Sequence, residues 1–336
     1  MKAIVYTQYG SPDVLQLREM AIPEPKDHDI LVRVKATSVN RTDCANLRAK
    51  PFIMRFVLGF FKPNKSIPGT EFAGDVVKIG KAVTAFKVGD KVFGFDDSVL
   101  SSYAEYLVFP ESKGVSTMPA GFNYQQAGAC IEGAHYAYNI INKVELQKGQ
   151  KVIVNGASGG IGSAAVQLLK HFGADITAVC STKNIDLVKL LGAHKVIDYT
   201  IEDFTKDSGK YDYVFDTVGK STFGKCKSLL NPGGVYISSE LGPWSQNLFY
   251  ALTTAIFGHL PGQEGKKVKF PYPPNIKRSV LLVKKLIEEG EFKTVIDKSY
   301  LLEEIADAFR YVEKGQKTGN VSIIVGEKQL QEQQPG

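Results

Sequence analysis

The chain has 336 residues, 43% of them apolar and 23% charged, with a formal net charge of +6. That is long enough for two domains with sizeable cores, and the composition is that of a soluble globular protein. There is no run of about 20 apolar residues to span a membrane and no dense Lys/Arg stripe to grip nucleic acid. The modest positive charge is left as a solvated surface or as attraction for a polyanionic cofactor such as NADPH.

The opening Met1-Lys2-Ala3-Ile4-Val5-Tyr6 reads as a short strand rather than a secretory leader. Segments 30–37, 72–79 and 91–95 continue as short strands punctuated by Gly69, Gly74, Gly80, Gly89 and Gly94, which predicts a compact barrel-like β domain over residues 1–122. After Pro119-Ala120-Gly121 the pattern changes. A helix is expected over 126–142. Strands at 151–155, 175–180 and 195–198 then alternate with helices at 161–172 and 185–191, and further strands follow at 211–216 and 235–239. Alternation of this kind implies a doubly wound parallel sheet, a Rossmann-type domain over 123–291. A helix at 279–289 stops at Gly290, and a last strand at 319–325 is expected to return to the first domain, giving it residues 292–336 as well. From Lys328 onward the chain is polar and reads as frayed. Two apolar, aromatic stretches break the rhythm: 52–61, followed by Lys62 and Lys65, and 244–260, followed by Lys266, Lys267 and Lys269. Core or inter-domain packing is the first expectation for both. A lid over an apolar substrate, or a surface that touches a membrane, is the second.

The four cysteines (Cys44, Cys130, Cys180 and Cys226) and the five histidines are scattered. Structural zinc and a disulfide framework are disfavoured, and a cytoplasmic location is expected.

The strongest chemical signal is the strand 151–155 running into Gly156-Ala157-Ser158-Gly159-Gly160-Ile161-Gly162 and an apolar helix. Strand, tight glycine turn and helix in this order cradle a pyrophosphate. Gly159 admits close backbone approach, Gly162 allows tight helix-on-sheet packing, and the helix N-terminus supplies unpaired N–H groups. Gly156, Gly160 and Ile161 complete the cradle, and Ser158 adds a hydroxyl for a phosphate. The next strand ends Cys180-Ser181-Thr182-Lys183-Asn184, without the acid that holds the ribose hydroxyls in an NAD site. Ser181 and Lys183 can receive a 2′-phosphate instead, with Tyr199 packing near it. NADPH is therefore the expected cofactor.

None of the 15 tyrosines is followed by Lys four positions later, and about 150 residues precede the turn, which excludes the short-chain dehydrogenase design. The arrangement resembles the medium-chain dehydrogenase/reductase superfamily over nearly its whole length. The resemblance rests on Val39-Asn40-Arg41-Thr42-Asp43, Pro68-Gly69-Thr70-Glu71-Phe72-Ala73-Gly74, Val88-Gly89-Asp90-Lys91-Val92, the glycine turn, Leu191-Gly192-Ala193 with Val196-Ile197-Asp198-Tyr199, Phe215-Asp216-Thr217-Val218-Gly219 and Thr318-Gly319-Asn320-Val321. It implies a β-rich GroES-like domain followed by the Rossmann domain, Val218 and Gly319 at the cofactor, and a homodimer formed through sheet edges of the cofactor domain. Zinc-dependent members carry Cys and His where this sequence has Asn40 and Thr70, which are poor zinc ligands. The chain is thus similar to the zinc-independent quinone oxidoreductase (ζ-crystallin-like) branch. It differs from some of that branch at Ala45, where a tyrosine often lies near the substrate.

The expected reaction is hydride transfer from NADPH to a quinone or related conjugated carbonyl. Asn40 would donate to the acceptor oxygen, Thr42 would relay a proton, and Tyr136 would lie in the stretch that lines the nicotinamide. A 2-alkenal, enone or enoyl-thioester reductase is the alternative enzyme. A weakly catalytic NADPH-binding module, or a membrane-peripheral one, is the alternative of another class.

Overall fold

A computed structural model describes residues 1–97, 101–240, 242, 246–257, 264–271 and 275–326. In chain order the elements are β1 (Lys2–Val5), β2 (Gln16–Glu19), β3 (Asp29–Val39), α1 (Arg41–Arg48), α2 (Arg55–Leu58), β4 (Glu71–Ile79), β5 (Lys91–Phe95), β6 (Tyr106–Pro110), β7 (Val115–Thr117), α3 (Tyr124–Ala127) and α4 (Ile131–Ile141). There follow β8 (Lys151–Asn155), α5 (Gly160–His171), β9 (Asp175–Cys180), α6 (Ile185–Leu191), β10 (Lys195–Asp198), β11 (Tyr211–Asp216), α7 (Phe223–Cys226), β12 (Leu230–Ser238), α8 (Gln246–Phe257), β13 (Lys267–Lys269), α9 (Ile276–Glu288), β14 (Ile296–Leu301), α10 (Ile305–Glu313) and β15 (Asn320–Ile324). They fall into two compact units. The first comprises Met1–Ile131, Ile276–Lys284 and Ile296–Gly336; the second comprises Glu132–Asn275 and Lys285–Val295.

The first unit is built on β3. Its early half pairs antiparallel with both β4 and β6, and its end pairs antiparallel with β15, in the register Val321↔Val39. The full ladder runs β14-β15-β3-β4-β5-β7. Alternating apolar residues of these strands, among them Ile30, Val32, Phe72, Phe109 and Val321, bury together with Phe309 of α10. The last strand, β15, thus lies beside β3 in the first unit.

The second unit is a six-stranded sheet in the order β10-β9-β8-β11-β12-β13, with every pairing parallel. The central strands β8 and β9 are mostly apolar runs, as burial on both faces requires. Ile153, Val179, Val214 and Tyr236 lie in its core. The order reverses at β8, where the chain winds outward to β9 on one side and to β11 on the other. In open α/β sheets ligands bind at such a switch point, outside the carboxyl ends of the strands.

The structure departs from the sequence expectation in two places. The helix expected over 126–142 is two helices, α3 and α4, separated at Gly128. A Cβ on Gly128 would lie 2.8 Å from the Ala36 carbonyl oxygen, so the chain passes too close to β3 for one continuous helix to accommodate it. Core packing accounts for only part of the aromatic stretches: Leu58 is buried, and Tyr250 and Ala251 pack against the core of the second unit. Phe56 is 70% exposed and Phe61 88%, with Phe52, Val57 and Phe60 exposed beside them. In 244–260, residues 244–245 and 258–260 lie outside the described residues. The rest is α8, which buries Asn247 and Thr254 but turns Leu248, Phe249, Leu252 and Ile256 to solvent. Lys328 and the polar end of the chain lie outside the described residues.

Candidate functional site

In the second unit, β8 ends at Asn155 and the chain turns through Gly156, whose φ of 81° suits a residue without a side chain. Gly159 caps α5, a 12-residue helix that begins at Gly160. A Cβ on Gly162 would lie 2.0 Å from the Gly156 carbonyl oxygen and 2.8 Å from the Ala157 Cα, so the first turn of the helix rests directly on the backbone of the loop. At Gly159 a Cβ would meet only the Gly156 carbonyl oxygen, at 3.5 Å, so that side of the turn is open backbone. The pyrophosphate of a dinucleotide fits such a cradle, because the N–H groups of the first helical turn have no intrahelical partners and carry the positive end of the helix dipole.

Asp216 holds the neighbouring turn. This fully buried carboxylate accepts from Asn155 Nδ2 at 2.9 Å, the N–H groups of Gly219 and Ser221 at 3.0 Å each, and Tyr236 Oη at 3.1 Å. It thereby ties the ends of β8, β11 and β12 and sets Val218 against Gly156, where a Cβ would come within 2.8 Å of the valine.

At the tip of β9, Asn184 Nδ2 donates to Ser158 Oγ at 3.0 Å and to Ser181 Oγ at 3.3 Å, joining the glycine turn to the strand end. Lys183 is exposed and forms no ion pair among the described residues. The pairing Asp198↔Cys180 brings the tip of β10 alongside, and the Tyr199 ring beyond it is 57% exposed. Asp198 is a carboxylate that the reading of the β9 tip alone does not reveal. It accepts from Thr182 Oγ1 at 2.5 Å, Thr200 Oγ1 at 2.7 Å and the Thr200 N–H at 2.9 Å. The two threonine hydroxyls hold its pKa below the usual carboxylate value.

Helix α4 lies close to the cradle. A Cβ on Gly133 would stand 2.6 Å from the Gly160 carbonyl oxygen, and Tyr136 follows within one turn of the same helix. Beside it His135 is fully buried, and burial pushes its imidazole down to about 4, so the ring is neutral at physiological pH. A separate cavity of about 430 Å³ lies against β13, at the sheet edge away from β9 and β10.

The first unit holds the other predicted residues. Asn40 caps α1 and is 6% exposed. Its Nδ2 donates to Ser38 Oγ at 2.9 Å and to Glu71 Oε1 at 3.3 Å; the Ser38 hydroxyl itself donates to Glu71 Oε1, and Glu71 Oε2 accepts from the Ile131 N–H at 3.1 Å. Glu71 is 1% exposed. A carboxylate only accepts, so the amide nitrogen of Asn40 must face it and the amide oxygen faces away, where Lys317 Nζ reaches it at 3.4 Å. The amide nitrogen of Asn40 is thus held by Ser38 and Glu71 within the first unit. Thr42, in the first turn of α1, is half-buried and its hydroxyl bonds to no other described residue. Gly319 sits at φ 68° in the turn before β15 and accepts from Lys317 Nζ. Burial raises the Cys44 thiol well above its usual value, consistent with a small packed residue.

Sequence reasoning thus missed Gly133, Asn184, Asp198, Glu71 and Lys317. Glu71 and Asp198 stand inside motifs already singled out, and being carboxylates in largely apolar strands was the signal that could have found them.

Gly162→Ala forces a Cβ into backbone and should cost about 1–3 kcal/mol of stability. Gly159→Ala should melt as wild type but lose most of the rise in Tm that NADPH produces. Thermal melts of both variants with and without NADPH check this.

Residues 26–120 match the family model of the alcohol dehydrogenase GroES-like domain, and 191–323 match that of a zinc-binding dehydrogenase domain. The chain is 34% identical to the 2-methylene-furan-3-one reductase of Solanum lycopersicum and 31% to the chloroplastic NADPH-dependent alkenal/one oxidoreductase of Arabidopsis thaliana, in each case over 96% of this chain and 79% of the relative. Its fold superposes on the quinone oxidoreductase from Coxiella burnetii with a TM-score of 0.82 at 25% identity, covering 97% of this chain and 99% of the other. With a GroES-like unit, a parallel-sheet unit carrying a dinucleotide cradle, and full-length relatives of this kind, the chain belongs to the medium-chain dehydrogenase/reductase family, in its quinone oxidoreductase branch.

Proposed function

We propose that this chain is an NADPH-dependent reductase of quinones and related conjugated carbonyls that works without zinc. The observation that carries the cofactor preference is the tip of β9. There the Lys183 side chain is exposed, Tyr199 follows the end of the adjacent β10 with its ring exposed, and the Asp198 carboxylate accepts from Thr182 and Thr200. A 2′-phosphate placed there meets a lysine, two hydroxyl-bearing residues and an aromatic face. Gly156, Ser158, Gly159, Gly160, Ile161, Gly162 and Val218 would hold the pyrophosphate and the nucleotide beyond it, Tyr136 would line the nicotinamide, and Gly319 is a further cofactor contact that the family resemblance implies. Bound NADPH supplies the hydride, and the protein binds, orients and dries the site.

The zinc-free reading rests on donor chemistry. Asn40 is an amide locked to Ser38 and Glu71, Thr70 is a hydroxyl, and no group of three His, Cys, Asp or Glu among the described residues is placed to hold a metal ion. Without a metal to lower its pKa an alcohol is a poor hydride source. A quinone or enone spreads the incoming charge through its own conjugation. Two relatives carry names of enone-type reductases, which favours 2-alkenals and enones as the second substrate class, with enoyl thioesters beside them. The four cysteines are all unpaired and buried, in keeping with a reducing, cytoplasmic setting. A homodimer is what the family resemblance implies.

A specific feature also favours peripheral membrane contact. Phe52, Phe56, Phe60 and Phe61 form one chain of edge-to-face rings with centroids 5.0–6.3 Å apart, largely open to solvent. Between Asp43 and Glu71 the sequence has no acidic residue, while Arg48, Lys50, Arg55, Lys62 and Lys65 are basic. Exposed aromatic rings ringed by cations suit the surface of an anionic bilayer. No helix among the described residues is long and apolar enough to cross one.

Three measurements test this reading. Lys183→Ala should raise KM for NADPH by about 10–100-fold, the loss of one or two charged hydrogen bonds, and leave KM for NADH unchanged; a lower wild-type KM for NADH would reverse the cofactor assignment. Turnover should appear with phenanthrenequinone, a 2-alkenal or an enoyl-CoA and survive chelator, whereas absence of turnover with all three would make the chain a binding module. Vesicles containing phosphatidylglycerol should pellet the protein while neutral vesicles do not, and Phe56→Ser with Phe61→Ser should abolish pelleting without changing kcat on a water-soluble acceptor.

A further inference from the structure

The exposed phenylalanines of the first unit are not carried on a loose loop. Phe52–Met54 forms a single 3-10 turn, α2 follows, and α2 buries Leu58 while Phe56 and Val57 face solvent. At Gly59 the backbone turns at φ 121°, where a Cβ would stand 2.1 Å from the Lys62 carbonyl oxygen. The chain then doubles back, and the Asn64 N–H donates to the Leu58 carbonyl at 2.8 Å. Tyr9 Oη ties the turn down by donating to the Gly59 carbonyl at 2.7 Å. The rings are thus held out on a formed knob, which lowers the ordering cost of docking. We propose that this knob carries a lipid-phosphate site at its base: the Arg55 guanidinium grips the phosphate of an anionic phospholipid while the rings enter the bilayer. This rests on the peripheral membrane contact proposed above.

Arg55 is half-buried between two aromatic rings. Its Cζ lies 5.2 Å from the centroid of the Tyr9 ring and 5.6 Å from that of Phe52. Tyr9 packs against the core of the first unit, whereas Phe52 belongs to the exposed chain of rings that runs through Phe56 and Phe60 to Phe61. The cation therefore sits at the boundary between the protein body and the rings. The Phe56 and Phe60 centroids lie 6.3 and 6.0 Å from that of Phe52. An interfacial apolar surface sinks about 5–10 Å into the boundary between headgroups and acyl chains. Rings inserted to that depth bring a charge one ring behind them to the level of the phosphates. The guanidinium is also equipped for the task. Arginine has five N–H donors, and among the described residues Arg55 makes one hydrogen bond, a long one of 3.4 Å from Nη1 to the Phe60 carbonyl oxygen, and no ion pair. The rings attract the cation through their quadrupoles without neutralising it. A guanidinium takes two oxygens of one phosphate in parallel, which a lysine ammonium does not.

The charge pattern selects the occupant. Lys50 and Lys62 flank α2 in the sequence and are exposed, and the stretch between Asp43 and Glu71 has no acidic residue. A second copy of the chain docking symmetrically through the knob would set each of these cations against its own equivalent. A soluble anion would leave four exposed rings in water. An anionic phospholipid in a bilayer satisfies both halves of the surface: its acyl chains receive the rings, its phosphate receives Arg55, and the negative surface potential attracts Lys50 and Lys62. A phosphatidylcholine phosphate is already countered by the choline of its own headgroup.

The test uses the full chain with Arg55→Lys, Arg55→Gln and, as a control for plain charge, Lys62→Gln. Tm and NADPH binding, read by nucleotide fluorescence, should match wild type in all three. Affinity for vesicles containing phosphatidylglycerol is read by sedimentation over a lipid titration. Lys62→Gln should weaken it by about fivefold, the loss of one cation near an anionic surface. Arg55→Gln should weaken it by about 30-fold or more, and Arg55→Lys, which keeps the charge but not the fork, by about tenfold. Wild type should also prefer phosphatidylglycerol to a long-chain sulfonate carried at equal zeta potential in a neutral glycolipid matrix, and Arg55→Lys should lose that preference. An Arg55→Lys variant that binds like wild type, or an Arg55→Gln loss no larger than that of Lys62→Gln, would overturn the phosphate site and leave the membrane contact standing. Wild-type protein that does not sediment with phosphatidylglycerol vesicles would remove the membrane contact and the phosphate site with it. Inorganic phosphate should release no more protein from vesicles than chloride at the same ionic strength; selective release by phosphate would make Arg55 a site for a soluble anion and overturn the lipid assignment. If Arg55→Gln melts early, Arg55→Lys decides by itself.

Discussion

The Asp216 carboxylate is buried with no cation beside it among the described residues, so all of its solvation must come from fixed protein donors. Four are present, from β8, the turn after β11, and β12. A buried charge left short of donors is costly, and these three strand ends therefore cannot splay independently. The turn they define holds Val218 against Gly156. The Gly156 carbonyl in turn leaves no room for a side chain at Gly162, and the Gly160 carbonyl leaves none at Gly133. The open face of the glycine turn is thus a consequence of one satisfied carboxylate. Its backbone donors are positioned before any phosphate arrives, which is the condition for tight anion binding at a helix N-terminus.

Glu71 has the same character in the first unit, where its donors decide the orientation of a neighbouring amide. The carboxylate and the Ser38 hydroxyl dictate which end of Asn40 points inward. In zinc-dependent relatives the resemblance puts a thiolate ligand at this position. Here the position carries an amide, whose oxygen accepts from Lys317 Nζ at 3.4 Å.

What was legible in the sequence, and what was not, follows the range of the interactions involved. Strands such as Lys91–Phe95, Asp175–Cys180 and Tyr211–Asp216 match their expected bounds, because an apolar run closed by turn residues is a local signal. The glycine turn was legible for the same reason, since strand, turn and helix are consecutive. The break at Gly128 was not, because it depends on the carbonyl of Ala36 some ninety residues earlier in the chain. Asn184 and Lys317 were missed likewise: each acts through partners that only strand pairing supplies, β9 beside the glycine turn in one case and β15 beside β3 in the other. The phenylalanines at 52–61 were misplaced for a different reason. Apolar composition signals burial on average, and a surface built to meet something apolar carries the same composition.

The tip of β9 shows why cofactor preference is more than the presence of one lysine. A lysine on an exposed turn is ordinary, and a nearby carboxylate would ordinarily cancel its attraction for a phosphate. Asp198 is such a carboxylate, one strand away. Its two oxygens accept from Thr182, Thr200 and a backbone N–H, and those bonds stabilise the charge where it stands. Lys183 forms no ion pair among the described residues and faces solvent. In the proposed cofactor assignment the held carboxylate would count as much as the cation, and exchanging Thr182 or Thr200 would alter the preference without touching Lys183.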